Sequence, residues 1–151
     1  MRSIRFVAEN LRRLFVSSPS PDQDRRMRAV NTTRGSILAS SLEIADSGAT
    51  RNKGLLGRTG LSPGGGLWIV PCQSVHTFFM RFAIDLVYID GRKRVRKVRS
   101  AVGAGRISFC LTAQSVIELP AGTVMETRTR PGDILTIEPI ELEEPAQPRL
   151  L

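Results

Sequence analysis

The segment IDLVYIDGRKRVRKV, residues 84–98, predicts the central feature of the fold. Residues 84–89 form a short, strongly apolar run that is typical of a buried strand. Asp90-Gly91 comes next and favours a tight hairpin, because glycine adopts positive φ without steric cost. Residues 95–98 then predict the returning strand, which lies within the main cationic run. We therefore expect a β-hairpin with one apolar and one cationic strand.

Other short apolar segments precede and follow this hairpin in the chain. They lie at residues 37–44, 67–70, 115–119 and 134–137. Two short helices are expected, one capped by Asp46 or Ser47 and stopped by Gly57, the other at residues 124–127. Many short strands separated by turn residues are typical of all-β folds. The sequence therefore predicts a mainly β domain, an antiparallel sandwich or partly open barrel with one or two short helices.

Length and composition limit the class of protein. A chain of 151 residues fits one domain, and its apolar content of 41% is enough to form a core. No apolar run approaches the roughly 18 residues that a membrane-spanning helix needs. The two cysteines are too few for a disulfide scaffold. Arginines interrupt the apolar residues near the N-terminus, so we expect no secretory signal and a cytoplasmic protein.

The chain divides into four predicted segments. Residues 1–18 place apolar side chains at helical spacing and arginines on the other face, which predicts a basic amphipathic helix. Such a helix can lie on an anionic membrane surface, dock on a partner or pack on its own domain. Two prolines end it, and residues 19–30 are expected to be a linker. Residues 31–140 form the β-rich domain, and residues 141–151 form an acidic tail.

The positive charge is concentrated in one short run. The net charge is +8, and the run RKRVRKVR at residues 92–99 holds six cations. Clustered cations can neutralise phosphates, so candidates for nucleic-acid contact are Arg92, Lys93, Arg94, Arg96, Lys97 and Arg99. The run contains no aromatic residue for base stacking. We therefore favour a solvated face, or an edge strand whose charges prevent pairing with other chains.

Several motifs occur in a characteristic order. RNKGLLGR at residues 51–58 is followed by HTFFMRFAIDLVYIDG at 76–91, VIELPAG at 116–122 and PGD at 131–133. With these motifs the chain resembles the conserved bacterial and archaeal family known as domain of unknown function 192, over roughly residues 35–140. The resemblance implies a compact, mainly antiparallel β domain and carries no established activity.

Six residues of these motifs, together with Cys72, are candidates for a ligand site. They are Arg51, Arg58, Cys72, His76, Met80, Asp85 and Glu118. The guanidinium groups of Arg51 and Arg58 can clamp a carboxylate or phosphate. Alternatively, each arginine ties the glycine-containing turn to a carboxylate of the same domain, such as Asp85 or Glu118.

Cys72 and His76 could form a catalytic pair, because an imidazole four residues away can activate a thiol. No evident oxyanion hole accompanies them, however. Together with Cys110 they also lack the paired short spacings of a zinc site. We therefore favour a buried thiol and a hydrogen-bonded histidine. We assign no catalytic residue, metal or cofactor, and we lean towards a protein that is not an enzyme.

Asp85 and Glu118 each interrupt an apolar strand. A buried charge without a partner is strongly disfavoured, so each carboxylate needs a hydrogen-bond or ion-pair partner if its face is covered. The two acids either line one polar pocket together or form ion pairs that fix the strand register. The sequence leaves both alternatives open.

These observations predict a single domain that binds a small ligand or a protein partner without catalysis. The Cys72–Asp85 loop, Glu118 and the Arg51–Arg58 turn would form its site. The alternatives are a Cys/His-dependent enzyme, a nucleic-acid-binding protein, and a protein that attaches to membrane surfaces through residues 1–18. The sequence does not identify the ligand or the oligomeric state.

Overall fold

The computed structural model describes residues 25–140. The helix predicted for residues 1–18 and the acidic tail predicted for residues 141–151 lie outside this part of the chain. The described part contains the strands β1 (Met27–Asn31), β2 (Ser36–Ala45), β3 (Gly65–Ile69), β4 (Ser74–His76), β5 (Ile84–Ile89), β6 (Val95–Val102), β7 (Ile107–Phe109), β8 (Ser115–Pro120) and β9 (Leu135–Pro139), and the helices α1 (Gly48–Lys53) and α2 (Thr123–Glu126).

Seven strands form one curled sheet in the order β6-β5-β8-β3-β2-β1-β9, and β4 pairs with β7 in a small second sheet. The curl brings the two edges of the large sheet together, where Arg94 forms a bridge with Ile134. Beside it, the Val95 N–H donates to the Asp133 carbonyl at 2.8 Å, and the Gly132 N–H donates to the Val95 carbonyl at 2.8 Å. The sheet is therefore a half-barrel. The prediction of a mainly β fold with short helices is confirmed.

One pair of strands departs from the predicted antiparallel arrangement. Residues Ser41–Ala45 of β2 pair in parallel with Gly65–Ile69 of β3. A parallel pair requires a crossover connection, and α1 with the turns after it provides that connection. The crossover holds α1 beside the sheet, and this position matters for the site described below.

Several predicted boundaries shift in the structure. Strand β1 begins at Met27, so the domain includes part of the segment expected to be a linker. Ser47 caps α1, and the helix ends at Lys53 because Gly54, rather than Gly57, is its C-cap with φ of 48°. Gly57 also adopts positive φ, but in the turn that follows.

The β5–β6 hairpin uses a longer turn than Asp90-Gly91 alone predicts. The Asp90 side chain accepts hydrogen bonds from the N–H groups of Arg92 and Arg94, at 2.9 and 3.0 Å. Asp90 is the first residue of the turn, and these hydrogen bonds stabilise the turn, as aspartate side chains often do. The positive φ then falls at Lys93 instead of Gly91.

The large sheet separates two apolar clusters, which we call the inner core and the outer core. The inner core fills the half-barrel and includes Leu42, Val87, Ile89, Ile117, Leu119 and Leu135. The outer core lies between the other face of the sheet and the layer formed by the small sheet and the turn after α1; it includes Leu55, Val75, Ile84, Leu86, Tyr88 and Val116. Successive residues of a strand alternate between these two cores.

Candidate functional site

The two strand-borne acids lie on opposite faces of the sheet. Strands β5 and β8 are antiparallel neighbours, and Leu86 is paired with Glu118. Directly paired residues project to the same side, so Glu118 faces the outer core together with Leu86. Asp85 precedes Leu86 and faces the inner side. The structure therefore does not bring Asp85 and Glu118 into one pocket.

Asp85 is fully buried and has a complete set of backbone partners. Its carboxylate accepts hydrogen bonds from the N–H groups of Ala101 at 2.8 Å, Gly122 at 3.1 Å and Val124 at 2.8 Å. The arginine partner that the sequence suggested is absent among the residues the structure describes. Asp85 therefore ties the end of β6 and the start of α2 to β5.

A cleft of about 490 Å³ opens on the outer side of the sheet. Helix α1 and its following turn form one wall, and the segment from Pro71 to His76 forms another. Apolar side chains such as Leu55, Ile69 and Val75 cover part of its lining. Five of the seven candidate residues line this cleft, namely Arg51, Cys72, His76, Met80 and Glu118.

Glu118 is the most unusual group in the cleft. Its residue is 4% exposed, and its Oε2 atom has no hydrogen-bond partner. Burial raises the pKa of its carboxyl group to about 7, although the positive charge of Arg58 acts in the opposite direction. Most buried polar side chains in folded proteins have a partner, because an unpaired one is destabilising. Glu118 therefore retains an unused capacity for hydrogen bonding.

Two cations stand on the α1 side of the cleft. Ser47 and Thr50 form a capping box that begins α1, and Arg51 and Lys53 follow in its last turn. Arg51 Nη1 donates to the Asp46 carbonyl at 2.8 Å. Within residues 25–140, the Arg51 guanidinium forms no ion pair. Its remaining N–H groups are thus available to an acceptor in the cleft.

The proposed thiol–imidazole pair does not form. The Cys72 thiol donates to the Ser74 carbonyl at 3.1 Å, while the His76 ring stacks on Phe78 with centroids 5.5 Å apart. Burial raises the pKa of the Cys72 thiol, and the charge of Glu118 adds to this effect. A raised pKa disfavours the thiolate, which is the nucleophilic form. The spacing of four residues between Cys72 and His76 does not correspond to a helical turn, because residues 74–76 are extended in β4.

Arg58 lies outside the cleft and serves the structural role that the sequence allowed as an alternative. Its two terminal nitrogens donate to the two carboxylate oxygens of Glu43 at 3.0 and 2.8 Å. The partner is thus Glu43, rather than Asp85 or Glu118. The hydrogen bond from Arg58 is the main cause that lowers the pKa of Glu43.

The cationic run, residues 92–99, covers the end of the β5–β6 turn and the first part of β6, which is an edge strand of the large sheet. Four of its side chains contact their own domain. Lys93 lies 5.2 Å from the Trp68 ring, Arg94 donates to the Gly132 carbonyl, Arg96 donates to Thr112, and Lys97 donates to the Phe109 carbonyl. This position agrees with a charged edge strand. Contact of Arg92, Arg99 or their neighbours with nucleic acid stays a prediction.

The sequence reasoning missed one charged cleft residue and a group of exposed apolar side chains. Lys53 lines the cleft, and its position two residues after Arg51 in the RNKGLLGR motif is the signal that could have identified it.

No helix within the described residues is long and apolar enough to cross a membrane. In the same part of the chain, no three His, Cys, Asp or Glu side chains are grouped as a metal site would require.

Comparison with known sequences decides the family. The sequence profile of domain of unknown function 192, described as "Uncharacterized ACR", matches residues 29–137, which extend from β1 into β9. The chain belongs to this family. The resemblance inferred from the motifs is therefore confirmed.

Relatives of the family include archaeal proteins of similar length. A UPF0127 protein of Thermococcus kodakarensis is 27% identical over 124 residues, which cover 79% of this chain and 78% of the relative. A UPF0127 protein of Thermococcus sibiricus is 29% identical over 133 residues, with 79% of each chain covered.

Two solved structures share the fold of this family member. A putative transcription regulator from Sinorhizobium meliloti superposes with a TM-score of 0.66 at 22% identity, covering 75% of this chain and 92% of that protein. A protein of unknown function from Novosphingobium aromaticivorans gives a TM-score of 0.64 at 18% identity, covering 74% of this chain and 83% of that protein. At these identities the similarity establishes the fold alone.

Proposed function

We propose that the protein binds a small organic molecule in the outer cleft. The molecule carries an amine that meets Glu118 and an acidic group that meets Arg51 and Lys53. The observation that carries the proposal is Glu118, a nearly fully buried carboxyl group without a partner for Oε2 in the lining of a cleft of about 490 Å³. Cavities of this size suit small ligands.

The charges of the cleft favour a ligand with both signs. An ammonium group beside Glu118 would supply the missing hydrogen bond and would stabilise the charged carboxylate. Arg51 and Lys53 would receive a carboxylate or phosphate of the same molecule. The apolar walls contributed by Leu55 and Ile69 would contact the rest of the ligand.

Binding suits this site better than catalysis by Cys72. The thiol has a raised pKa and donates its proton to a backbone carbonyl. The imidazole of His76 is stacked on Phe78 instead of contacting the sulfur. The proposal therefore assigns Cys72 and His76 to the lining of the cleft and gives neither a reaction.

A panel of matched compounds tests the proposal. Thermal unfolding of the full chain is measured with each proteinogenic amino acid, with the amine that lacks its carboxylate, and with the acid that lacks its amine. At a concentration of 100 times Kd, a bound ligand stabilises the folded state by about 2.7 kcal/mol. We expect an increase in Tm of several degrees with at least one amino acid, and a smaller increase with both of its analogues.

Variants assign the response to the cleft. Glu118→Gln and Arg51→Ala should abolish the increase in Tm, because each removes one charge that the ligand contacts. Glu43→Gln is the matched control, since Glu43 is paired with Arg58 outside the cleft. The proposal is wrong if no compound in the panel raises Tm, or if Glu118→Gln responds as the wild type does.

A further inference from the structure

An exposed apolar surface surrounds the small sheet. We call it the apolar patch, and its members are Phe78, Phe79, Ile107, Phe109 and Leu111. Phe79 is 90% exposed and Leu111 is 74% exposed. Single exposed apolar side chains are ordinary, but a contiguous group of them marks an interaction surface.

The pairing of β4 with β7 places two members of the patch, Ile107 and Phe109, on one face of the small sheet. Ser74 is opposite Phe109 and His76 is opposite Ile107, so these four side chains share one face of the small sheet. The residues between them, Val75 and Ser108, are buried on the other face. The ring of His76 stacks on Phe78 and thereby connects the sheet to the following turn.

The backbone conformation of Phe79 is unfavourable, although its side chain is exposed to solvent. Phe79 has φ of 64°, which is sterically unfavourable for a residue with a large side chain. Strained residues persist where the surrounding structure holds them, and they cluster at functional sites. Because Phe79 is 90% exposed, packing within the domain does not offset this strain.

The surroundings of the patch are cationic. Residues 74–84 and 105–112, which carry the patch, contain Arg81 and Arg106 and no Asp or Glu. Lys97 Nζ lies 5.4 Å from the Phe109 ring. Arg106 directly precedes Ile107, and Arg81 follows Phe79 by two positions. A partner of this surface therefore has to tolerate or complement positive charge.

We infer that the apolar patch inserts into the interfacial region of an anionic lipid bilayer. Protruding aromatic and aliphatic side chains flanked by Arg and Lys are the combination that binds such surfaces, by apolar burial together with attraction to anionic headgroups. A peptide segment of a partner protein would need a receiving groove on this surface. Phe79 and Leu111 project into solvent and form no such groove.

Vesicle flotation of the full chain tests this inference. The vesicles contain either phosphatidylcholine alone or phosphatidylcholine with 30% phosphatidylserine. We expect the protein to float with the anionic vesicles, to float less at high salt, and to bind the neutral vesicles at least tenfold more weakly. The double variant Phe79→Ala/Leu111→Ala should bind the anionic vesicles at least tenfold more weakly than the wild type.

A matched double variant controls for the loss of exposed apolar surface. Ile37 and Met125 are also large and exposed but lie outside the patch, so Ile37→Ala/Met125→Ala should float as the wild type does. All variants retain residues 1–18, so any contribution of that segment is common to them. Thermal unfolding checks that both double variants are folded.

Three results would overturn the inference. The first is failure of the wild type to float with anionic vesicles. The second is equal flotation of the wild type and the folded Phe79→Ala/Leu111→Ala variant, which would assign the binding to another part of the chain. The third is a wild-type oligomer in light scattering that this variant converts to a monomer, which would identify the patch as an interface between protein copies.

Discussion

Strands β5 and β8 each carry one buried carboxylate, and the two carboxylates differ in their hydrogen-bond partners. On the inner face, Asp85 accepts three backbone hydrogen bonds within 3.1 Å. On the outer face, Glu118 lies beside a cleft and its Oε2 atom has no partner. Both acids interrupt apolar strands, so the sequence alone treats them as equivalent. The comparison shows that the number of partners, rather than burial, separates a structural acid from a candidate for binding.

Asp133 of the PGD motif supports this distinction. It is buried, and it receives hydrogen bonds from the Asn31 amide, the Arg34 guanidinium and the Arg130 N–H. Burial by itself raises the pKa of Asp133, but these hydrogen bonds and the charge of Arg34 outweigh it, so the pKa lies below the ordinary value. Asp133 therefore belongs with Asp85 as a structural carboxylate.

Removal of the Asp85 carboxylate should have the largest effect on stability. Asp85→Ala leaves three N–H groups without their acceptor, including that of the buried Val124, and we expect the free energy of unfolding to fall by about 3–5 kcal/mol. Urea denaturation measures the loss. Asp85→Asn keeps one carbonyl acceptor and should lose less. A loss below about 1 kcal/mol for Asp85→Ala would show that its hydrogen bonds do not stabilise the inner face.

The pH dependence of stability should report the raised pKa of Glu118. Its pKa is about 7 in the folded protein against an ordinary value of 4.5, so the folded state binds more protons than the unfolded state between these values. The free energy of unfolding therefore decreases as pH rises through this window, by up to about 3 kcal/mol between pH 4.5 and pH 8. Urea denaturation at intervals across that range measures the slope.

Glu118→Gln should remove this decrease, because the neutral amide does not titrate. Glu43→Gln is the control and should keep it. The Arg58 hydrogen bond lowers the pKa of Glu43, so the Glu43 contribution is complete above pH 4.5 and is lost only at lower pH. Equal pH profiles for the wild type and Glu118→Gln would contradict the raised pKa.

The smallest effect is expected at the exposed rim of the outer face. The Arg58–Glu43 ion pair is about one-third exposed on both sides, and water screens such pairs. Glu43→Gln should therefore lower the free energy of unfolding by less than about 1 kcal/mol at pH 7. If Glu43→Gln lowered the free energy of unfolding by more than about 2 kcal/mol in the same urea denaturation series, the Arg58–Glu43 pair would be a structural contact comparable to those of Asp85.

Local sequence patterns predicted much of the fold. The apolar run at residues 84–89 predicted β5, and the turn after it predicted the hairpin with β6. These inferences succeeded because strands and hairpins depend on neighbouring residues.

The site depended on contacts between distant residues. The pairing of Leu86 with Glu118 joins strands that are 32 positions apart, and only this register places Glu118 on the outer face. The pairing of Arg58 with Glu43 likewise follows from the parallel β2–β3 crossover, which no local pattern announced. The motifs contained Arg51, His76, Met80 and Glu118, and Cys72 precedes His76 by four positions, but the convergence of these residues required the tertiary structure.

The position of β1 between β2 and β9 has a consequence for synthesis of the protein. Strand β2 follows β1 closely, whereas β9 is the last strand that the structure describes, and Arg28 pairs with Glu138 across 110 positions. At about 5–20 residues per second, translation reaches β9 several seconds after β1 has emerged. During that time the nascent chain exposes one unpaired side of β1, which is a template for aggregation. Chaperone protection of this half-barrel is therefore most needed just before its final strand arrives.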